Sequence, residues 1–314
     1  MFFVYNKKII IYNQNVRLQR IMKTMLSVES PLLRAGIKIS DTVNIVQKSE
    51  ACIKLDEQKS KVPIYKEKAG GKKWSFLTEP TILKESNSVC SKAYYKLKEI
   101  IETCVLPTPE TSLHICEAPG GFVQATTDSF KNLRKWYASS YSNGIKFKKE
   151  LLDMNIGEIV IPEKDGDILE KSVRESFTMK VDLVTADGSF LQENHLLIEE
   201  INYELFAAQV DVALRCLNKK GTFVCKFFEG METKTQVLIA ILTNCFENVS
   251  IIKPKSSKET NSERYVVCRG FEKYIDVIDT TWKTSDAWLE DLQDVSDEIA
   301  LQQVEKLEKV FKRI

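Results

Sequence analysis

Residues 111–128, Thr-Ser-Leu-His-Ile-Cys-Glu-Ala-Pro-Gly-Gly-Phe-Val-Gln-Ala-Thr-Thr-Asp, constrain the fold more than any other stretch of the chain. Leu113, Ile115 and Cys116 make a short apolar run of strand length, bounded upstream by Pro107 and Pro109. The run breaks at Ala118-Pro119-Gly120-Gly121, and Phe122, Val123 and Ala125 resume with helical spacing. Strand, tight glycine turn and helix therefore follow one another. Pro119 has no N–H to donate and suits a turn that enters a helix. Gly120 and Gly121 permit positive φ and a close approach of backbone to ligand, where the free N–H groups of a helix start also point. Such turns also arise for packing alone, so the glycines by themselves specify no ligand. The spacing is not Gly-x-Gly-x-x-Gly, which removes the main support for a nicotinamide or flavin site. Glu117 lies at the C-terminal edge of the strand, where ligands of open α/β sheets bind.

Several further segments suggest an alternating α/β chain. Asn87 to Cys104 is amphipathic, with Tyr94, Leu97, Ile100 and Ile101 at helical spacing and Asn87 or Ser91 as caps. Lys96 lies near that stripe, where a snorkelling surface lysine is the plain reading. Lys135 to Ser139 is a second strand and Glu158 to Pro162 a third. Asp165-Gly166-Asp167 reads as a turn and N-cap for a helix over Ile168 to Phe177. Val181 to Thr185 is a buried strand that ends in Ala186-Asp187-Gly188, where Asp187 is either a ligand-facing carboxylate or a turn aspartate. Leu196 to Leu217 forms a long helix, with Lys219-Lys220-Gly221 as its C-terminal signal. Thr233 to Cys245 is another helix, and Val249 to Lys253 and Arg264 to Arg269 are strands, the latter opened by Glu263.

Lys226 stands out on physical grounds alone. It sits in Thr222-Phe223-Val224-Cys225-Lys226-Phe227-Phe228, and a lysine in an aromatic strand is costly to bury unless it is paired or loses its charge. The apolar residues on both sides argue against an edge position, which makes Lys226 a functional candidate.

Composition narrows the class. At 314 residues, 43% hydrophobic and 28% charged, the chain can bury a large core, and no run approaches the ~20 apolar residues of a spanning helix. Net charge is +1, so any nucleic acid must be met by a local basic groove. Eight cysteines without a Cys-x-x-Cys pair speak against zinc and suit a reducing intracellular setting. His114 and His195 are the only histidines and read as structural, so no metal site is expected.

Glu-Ala-Pro-Gly-Gly-Phe at 117–122 resembles the first S-adenosylmethionine motif of the FtsJ-like (RrmJ-like) RNA ribose 2'-O-methyltransferases. Four further segments resemble that family in order: Ser91–Leu97 with Lys96, Val181–Gly188 with Asp187, Gly221–Lys226 with Lys226, and Lys253–Ser257 followed by Ser262–Val267 with Glu263. Coverage runs from about Ser91 to Gly270. The resemblance implies a Rossmann-like α/β fold with a mostly parallel seven-stranded sheet and helices on both faces. It also implies S-adenosylmethionine as cofactor, held by Glu117, Ala118, Pro119, Gly120, Gly121 and Phe122 with Asp165, Asp167 and Asp187. Gly-Asp-Ile at 166–168 is similar to the segment that meets the adenine amino group in cap-modifying members. No acidic residue follows the second strand at Ser139-Ser140-Tyr141, a departure that leaves the cofactor ribose to Asp153, a hydroxyl or the backbone.

By the same resemblance Lys96, Asp187, Lys226 and Glu263 form a catalytic tetrad. Lys226 takes or orients the 2'-hydroxyl proton, Lys96 lowers its pKa by repulsion, and the two carboxylates position both ammonium groups. The substrate implied is RNA, capped mRNA in preference to ribosomal RNA, with a catalytically silent RNA-binding scaffold as the rival. Residues 1–75 form an N-terminal extension, 76–270 the methyltransferase domain and 271–314 a helical tail that packs on the core or on a partner protein. Within the extension, Phe2–Tyr5 and Lys7–Tyr12 suggest a hairpin and Val16–Leu26 a helix. The lysine-rich residues 48–73 read as a solvated surface or as a phosphate-contacting flap, with Trp74 free to stack on a base.

Overall fold

The computed structural model describes residues 9–12, 49–80, 89–162, 164–190, 195–277 and 286–314. The strands are β1 (Ile9–Tyr12), β2 (Thr111–Ile115), β3 (Lys135–Ser139), β4 (Gly157–Ile159), β5 (Val181–Ala186), β6 (Leu217–Phe228), β7 (Phe246–Ile252) and β8 (Glu263–Phe271). The helices are α1 (Glu50–Ala69), α2 (Gly71–Thr78), α3 (Ala93–Cys104), α4 (Gly121–Ser129), α5 (Lys149–Leu152), α6 (Lys171–Ser176), α7 (Ile198–Cys216), α8 (Thr233–Cys245) and α9 (Asp286–Phe311). One sheet orders the strands β1-β7-β8-β6-β5-β2-β3-β4. Among the described residues only β8 runs antiparallel to its neighbours. β2 to β8 supply the expected seven strands, and β1 adds an eighth by lying parallel on β7.

Chain direction reverses its progress across the sheet at β2. From β2 the chain moves outward to β3 and β4, and from β5 it moves the other way to β6. That leaves a crevice between the C-terminal ends of β2 and β5, the switch point where such sheets bind ligands. The strands are buried on both faces because helices cover both. Leu183, Val224, Tyr265 and Val267 pack toward α3 and α4 with Leu97, Ile100, Phe122 and Val123. Val184, Phe223, Cys225 and Val266 pack the other way, toward α7 and α8. This two-residue alternation decides where the polar side chains go. Lys226 shares its face with Val224, and Glu263 shares its face with Tyr265, so both turn toward α3, which carries Lys96.

Several sequence expectations need correction. Lys219-Lys220-Gly221 does not close α7, which ends at Cys216 with an extended C-cap at Leu217. Leu217 instead pairs with Val181, and pairing resumes at Leu183 with Thr222, so residues 218–221 bulge from β6. Asn218 Nδ2 donates to Asp182 Oδ1 at 2.9 Å and closes the bulge. The helix expected over Ile168–Phe177 is confined to α6, and residues 272–277 are not helical. Residues 2–8 and 16–26, expected as part of a hairpin and as a helix, lie outside the described residues.

The lysine-rich segment is a helix pair rather than an open flap. α1 buries Ala51, Leu55 and Val62 against Ala300, Leu307 and Phe311 of α9. Tyr65 stacks on Phe311 with ring centroids 4.1 Å apart, and Trp74 of α2 lies 6.5 Å from the same ring instead of being open to a base. Ala300, Leu307 and Phe311 of α9 are thus buried within the chain. Among the described residues no helix is long and apolar enough to cross a membrane.

Candidate active site

The glycine turn after β2 is built mainly by packing. Cys116 and Gly120 take positive φ of 55° and 115°, and the Ala118–Pro119 peptide is cis. A Cβ at Gly120 would lie 1.8 Å from Leu151 Cδ1, and one at Gly121 would lie 2.2 Å from Ser91 Oγ and 2.9 Å from the Tyr94 nitrogen. These two glycines therefore leave room for Leu151 of α5 and for Ser91 and the start of α3. Glu117 bends back over the turn, and its Oε1 accepts the N–H groups of Phe122 at 2.6 Å and Val123 at 3.2 Å. It caps α4 from the inside. Burial and the nearby Asp187 push its pKa well up, against the pull of those two N–H groups. Phe122 is fully buried and packs against Tyr265, with ring centroids 6.1 Å apart.

A cleft of about 780 Å³ opens at the switch point. Cys116, Glu117, Ala118 and Pro119 form one wall, Ser140, Tyr141 and Ile145 a second, Asp167, Ile168 and Leu169 a third, and Asp187, Gly188, Ser189 and Lys226 the floor. Asp165 is not on the cleft. Its carboxylate takes hydrogen bonds from Ser142 Oγ and Asn143 Nδ2, both at 2.8 Å, and so ties down the loop that carries Tyr141 and Ile145. Asp153 is exposed and also off the cleft, whereas the Ser140 hydroxyl lies on it.

Lys96, Asp187, Lys226 and Glu263 come together from α3, the end of β5, β6 and the first residue of β8. They meet as two pairs. Lys96 Nζ lies 2.7 Å from Glu263 Oε1 and donates to Oε2 at 2.9 Å. Lys226 Nζ lies 3.3 Å from Asp187 Oδ1 and donates to the Asp187 carbonyl at 2.6 Å and to Ser189 Oγ at 3.2 Å. Lys226 is 6% exposed, so its charge is answered by this turn and not by solvent.

Three supporting residues escaped the sequence reading. Tyr265, fully buried opposite Lys226 in the β6–β8 register, donates its hydroxyl to Asp187 Oδ1 at 2.7 Å. Ser257 Oγ donates to Glu263 Oε1 at 2.8 Å. Lys253 donates to the Asn261 carbonyl, Asn261 Oδ1 and the Glu263 carbonyl at 2.7, 2.9 and 3.0 Å, which fixes the loop before β8. Burial draws Lys253 down to about 7, while the Glu263 charge pulls the other way. Tyr265 shares the two-residue phase of Glu263, a signal readable once β8 is paired with β6.

Burial works against both charges of the Lys96–Glu263 pair, yet each partner wins. Lys96 is raised because Glu263 and Asp187 outweigh its desolvation. Glu263 falls to about 2 because Lys96, Lys226 and the Ser257 hydroxyl outweigh its own. A carboxylate lowered from 4.5 stabilises the fold fully above about pH 4.5, and this contribution fades as pH falls toward 2. In Lys96→Met that contribution shrinks, with only Lys226 and Ser257 left to support the charge, so thermal melts from pH 7 to pH 3 should show a lower melting temperature at pH 7 and a flatter acid decline. The histidines take no part. His114 is buried between Ser112 Oγ and Thr185 Oγ1, at 2.9 and 2.7 Å, and burial lowers it to about 3. His195 sits on a half-buried turn ahead of α7.

The model of the FtsJ-like methyltransferase family matches residues 89–271, which span β2 to β8 and all four of these side chains. The chain belongs to the FtsJ-like methyltransferase family. Similar proteins include the cap-specific mRNA (nucleoside-2'-O-)-methyltransferase 1 of Drosophila melanogaster, 36% identical over 155 residues, 49% of this chain and 19% of the relative. The corresponding methyltransferase 2 of Danio rerio is 31% identical over 212 residues, 59% of this chain and 28% of the relative. A cap-specific mRNA (nucleoside-2'-O-)-methyltransferase of Autographa californica nuclear polyhedrosis virus is 33% identical over 169 residues, 51% of this chain and 63% of the relative. The chain thus spans less than two thirds of the length of each of these relatives.

Proposed function

We propose that the chain is an S-adenosylmethionine-dependent RNA ribose 2'-O-methyltransferase that modifies the cap-proximal nucleotide of mRNA. The observation that carries this reading is the meeting of two lysines and two carboxylates, of which Lys226 and Asp187 lie on the floor of a switch-point cleft. The cleft volume of about 780 Å³ suits a nucleoside-sized cofactor. Its walls suit one as well, since Ile145, Ile168 and Leu169 offer apolar surface for a base, and Asp167 and Ser140 offer polar atoms. Ser91 Oγ, also on the cleft, is buried without a hydrogen-bond partner among the described residues. When bound, the cofactor supplies an electrophilic methyl group on a sulfonium.

The chain's own residues then align and deprotonate the acceptor. Lys226 lies on the cleft floor, where its nitrogen can meet a ribose 2'-hydroxyl, steer it and take its proton in the amine form. Asp187 and Ser189 aim that nitrogen, and Tyr265 locks Asp187. Glu263 and Asp187 keep Lys96 charged beside this group. Methyl transfer to a neutral hydroxyl demands little beyond this alignment and proton removal.

The names of the similar proteins support the cap-proximal substrate, and the interlocked α1 and α9 support residues 1–75 and 271–314 as flanks of one methyltransferase domain. Eight free thiols suit a reducing setting such as cytoplasm, nucleus or a viral replication site. Transfer of labelled methyl to short RNAs, capped and uncapped, followed by nucleoside analysis, tests the reading. Label on a 2'-oxygen of capped RNA alone is expected. Equal labelling without a cap would move the substrate to structured or ribosomal RNA. Cofactor binding with no label on any RNA would leave the silent scaffold.

A further inference from the structure

α7 buries a mostly apolar surface, with Leu205, Phe206, Val210 and Val212 among its core residues. Two buried amides interrupt it, Asn202 at 5% and Gln209 at 1% exposure. They are two helical turns apart and share one face. That face backs the turn after β5. Gln209 Oε1 accepts the Gly188 N–H at 2.9 Å, and Asn202 Oδ1 accepts the Phe190 N–H at 2.8 Å. Asn202 Nδ2 donates to the Ile198 carbonyl at 2.8 Å, which fixes the amide on its helix.

The turn therefore alternates. Gly188 and Phe190 are tied backward to α7, while Asp187 and Ser189 reach forward to the Lys226 ammonium through a carbonyl and a hydroxyl. The fit behind the turn is close. A Cβ on Gly188 would lie 2.7 Å from Gln209 Oε1 and 2.9 Å from Cys116 Cβ. Between Gly188, Asn202, Gln209 and Lys226 there remains a cavity of about 10 Å³, scarcely one water. Any slackness in the two amides is thus passed directly to the acceptors that aim Lys226.

We infer that Gln209 and Asn202 are positioning residues of the transfer step, fixing the 187–190 turn and through it the direction of the Lys226 amine. The inference rests on the reading of Lys226 as the group that receives the ribose proton. Their role is geometric, because the two backbone N–H groups would be satisfied equally well by any acceptor. A rigid helix supplies an acceptor that does not move.

The test uses the full chain with Gln209→Leu, Gln209→Glu and Asn202→Leu, and Gln236→Leu as a control. Gln236 is an equally buried amide that holds the Gly230 carbonyl and Gln293, away from the turn. Single-turnover transfer at saturating cofactor and RNA, its pH profile, cofactor affinity and melting temperature are measured together. Gln209→Leu and Asn202→Leu are expected to slow transfer about 10- to 100-fold, in line with a misplaced catalytic group, with RNA KM changed less than about threefold. The apparent pKa of the rate profile should shift in both. Gln209→Glu keeps an acceptor oxygen and should recover most of the rate, and Gln236→Leu should melt earlier without slowing. Transfer at the wild-type rate in both leucine variants, or equal slowing in Gln236→Leu, would overturn the inference. A wild-type protein that methylates no RNA is a separate result, and it would remove the functional reading itself.

Discussion

Lys226→Ala is expected to cut methyl transfer by about 10²- to 10⁴-fold, the range for losing a positioned acid–base group, while cofactor affinity changes only a few-fold. The separation follows from where the residue sits. Lys226 occupies one point of the cleft floor, whereas the other cleft walls, from 116–119, 140–145 and 167–169, are untouched by its loss. Isothermal binding of the cofactor and single-turnover transfer to capped RNA would measure the two effects. Lys226→Arg should not recover the rate, since a guanidinium keeps its charge and cannot take a proton near neutral pH. Asp187 keeps its hydrogen bond from Tyr265 in either variant, so the fold should survive and the loss should be kinetic. An alanine variant that still transfers methyl at the wild-type rate would end the assignment of Lys226 as proton acceptor.

The largest stability effect should come from a residue outside the family-matched region. Lys59 of α1 is 3% exposed and pairs with Glu229, which follows β6 and is 5% exposed. Glu229 is a hub: Ser262 Oγ donates to its Oε1 at 2.5 Å, and Arg264 donates to its carbonyl. Lys59→Met leaves a buried carboxylate without its cation, at a cost of about 3–5 kcal/mol. Against a typical total of about 5–15 kcal/mol, the melting temperature should fall by roughly 10 °C. Glu199 sharpens the effect, because burial and then Glu229 already push its pKa up to about 7. Without Lys59 the two carboxylates face each other less shielded, so the deficit should be greatest above pH 7. Lys59→Met combined with Glu229→Gln removes the orphan charge and should recover most of the loss. A double variant that melts no higher than the single one would show that the pair is not what holds α1 in place.

Sequence carried the centre of the site because its members stand where strands end or where burial is costly. Lys226 is conspicuous among aromatic residues, and Glu117, Asp187 and Glu263 each sit at a strand terminus. What it hid depends on partners distant in the chain. Tyr265 reaches Asp187 only because β8 lies antiparallel on β6. Gln209 and Asn202 look like minor blemishes in an apolar helix until the turn they hold is in place. α1 passed for a solvated surface because its buried stripe of Ala51, Leu55, Lys59 and Val62 includes a lysine, and because Pro63 interrupts it. Lys219-Lys220-Gly221 has the composition of a helix end, but strand pairing at Leu217 takes priority over that local preference. Gly120 ends the turn and Gly121 opens α4, while the room they leave for Leu151 and Ser91 is tertiary.

The pairing of α1 with α9 also sets an order of assembly. Ser49, the N-cap of α1, donates to Asp297 across 248 positions of sequence, and the small core around Leu55 and Phe311 is built from the same two distant stretches. During synthesis α1 emerges long before α9, and every strand from β2 to β8 is made in between. Its apolar stripe therefore stays uncovered until nearly the whole sheet has left the ribosome, and closing so long a loop is slow compared with forming the helices themselves. The hub at Glu229 draws Lys59 of α1 onto the end of β6 and onto β8, which are made long after α1. A nascent chain can thus hold Lys96, Asp187, Lys226 and Glu263 and still lack the clasp of α1 on α9.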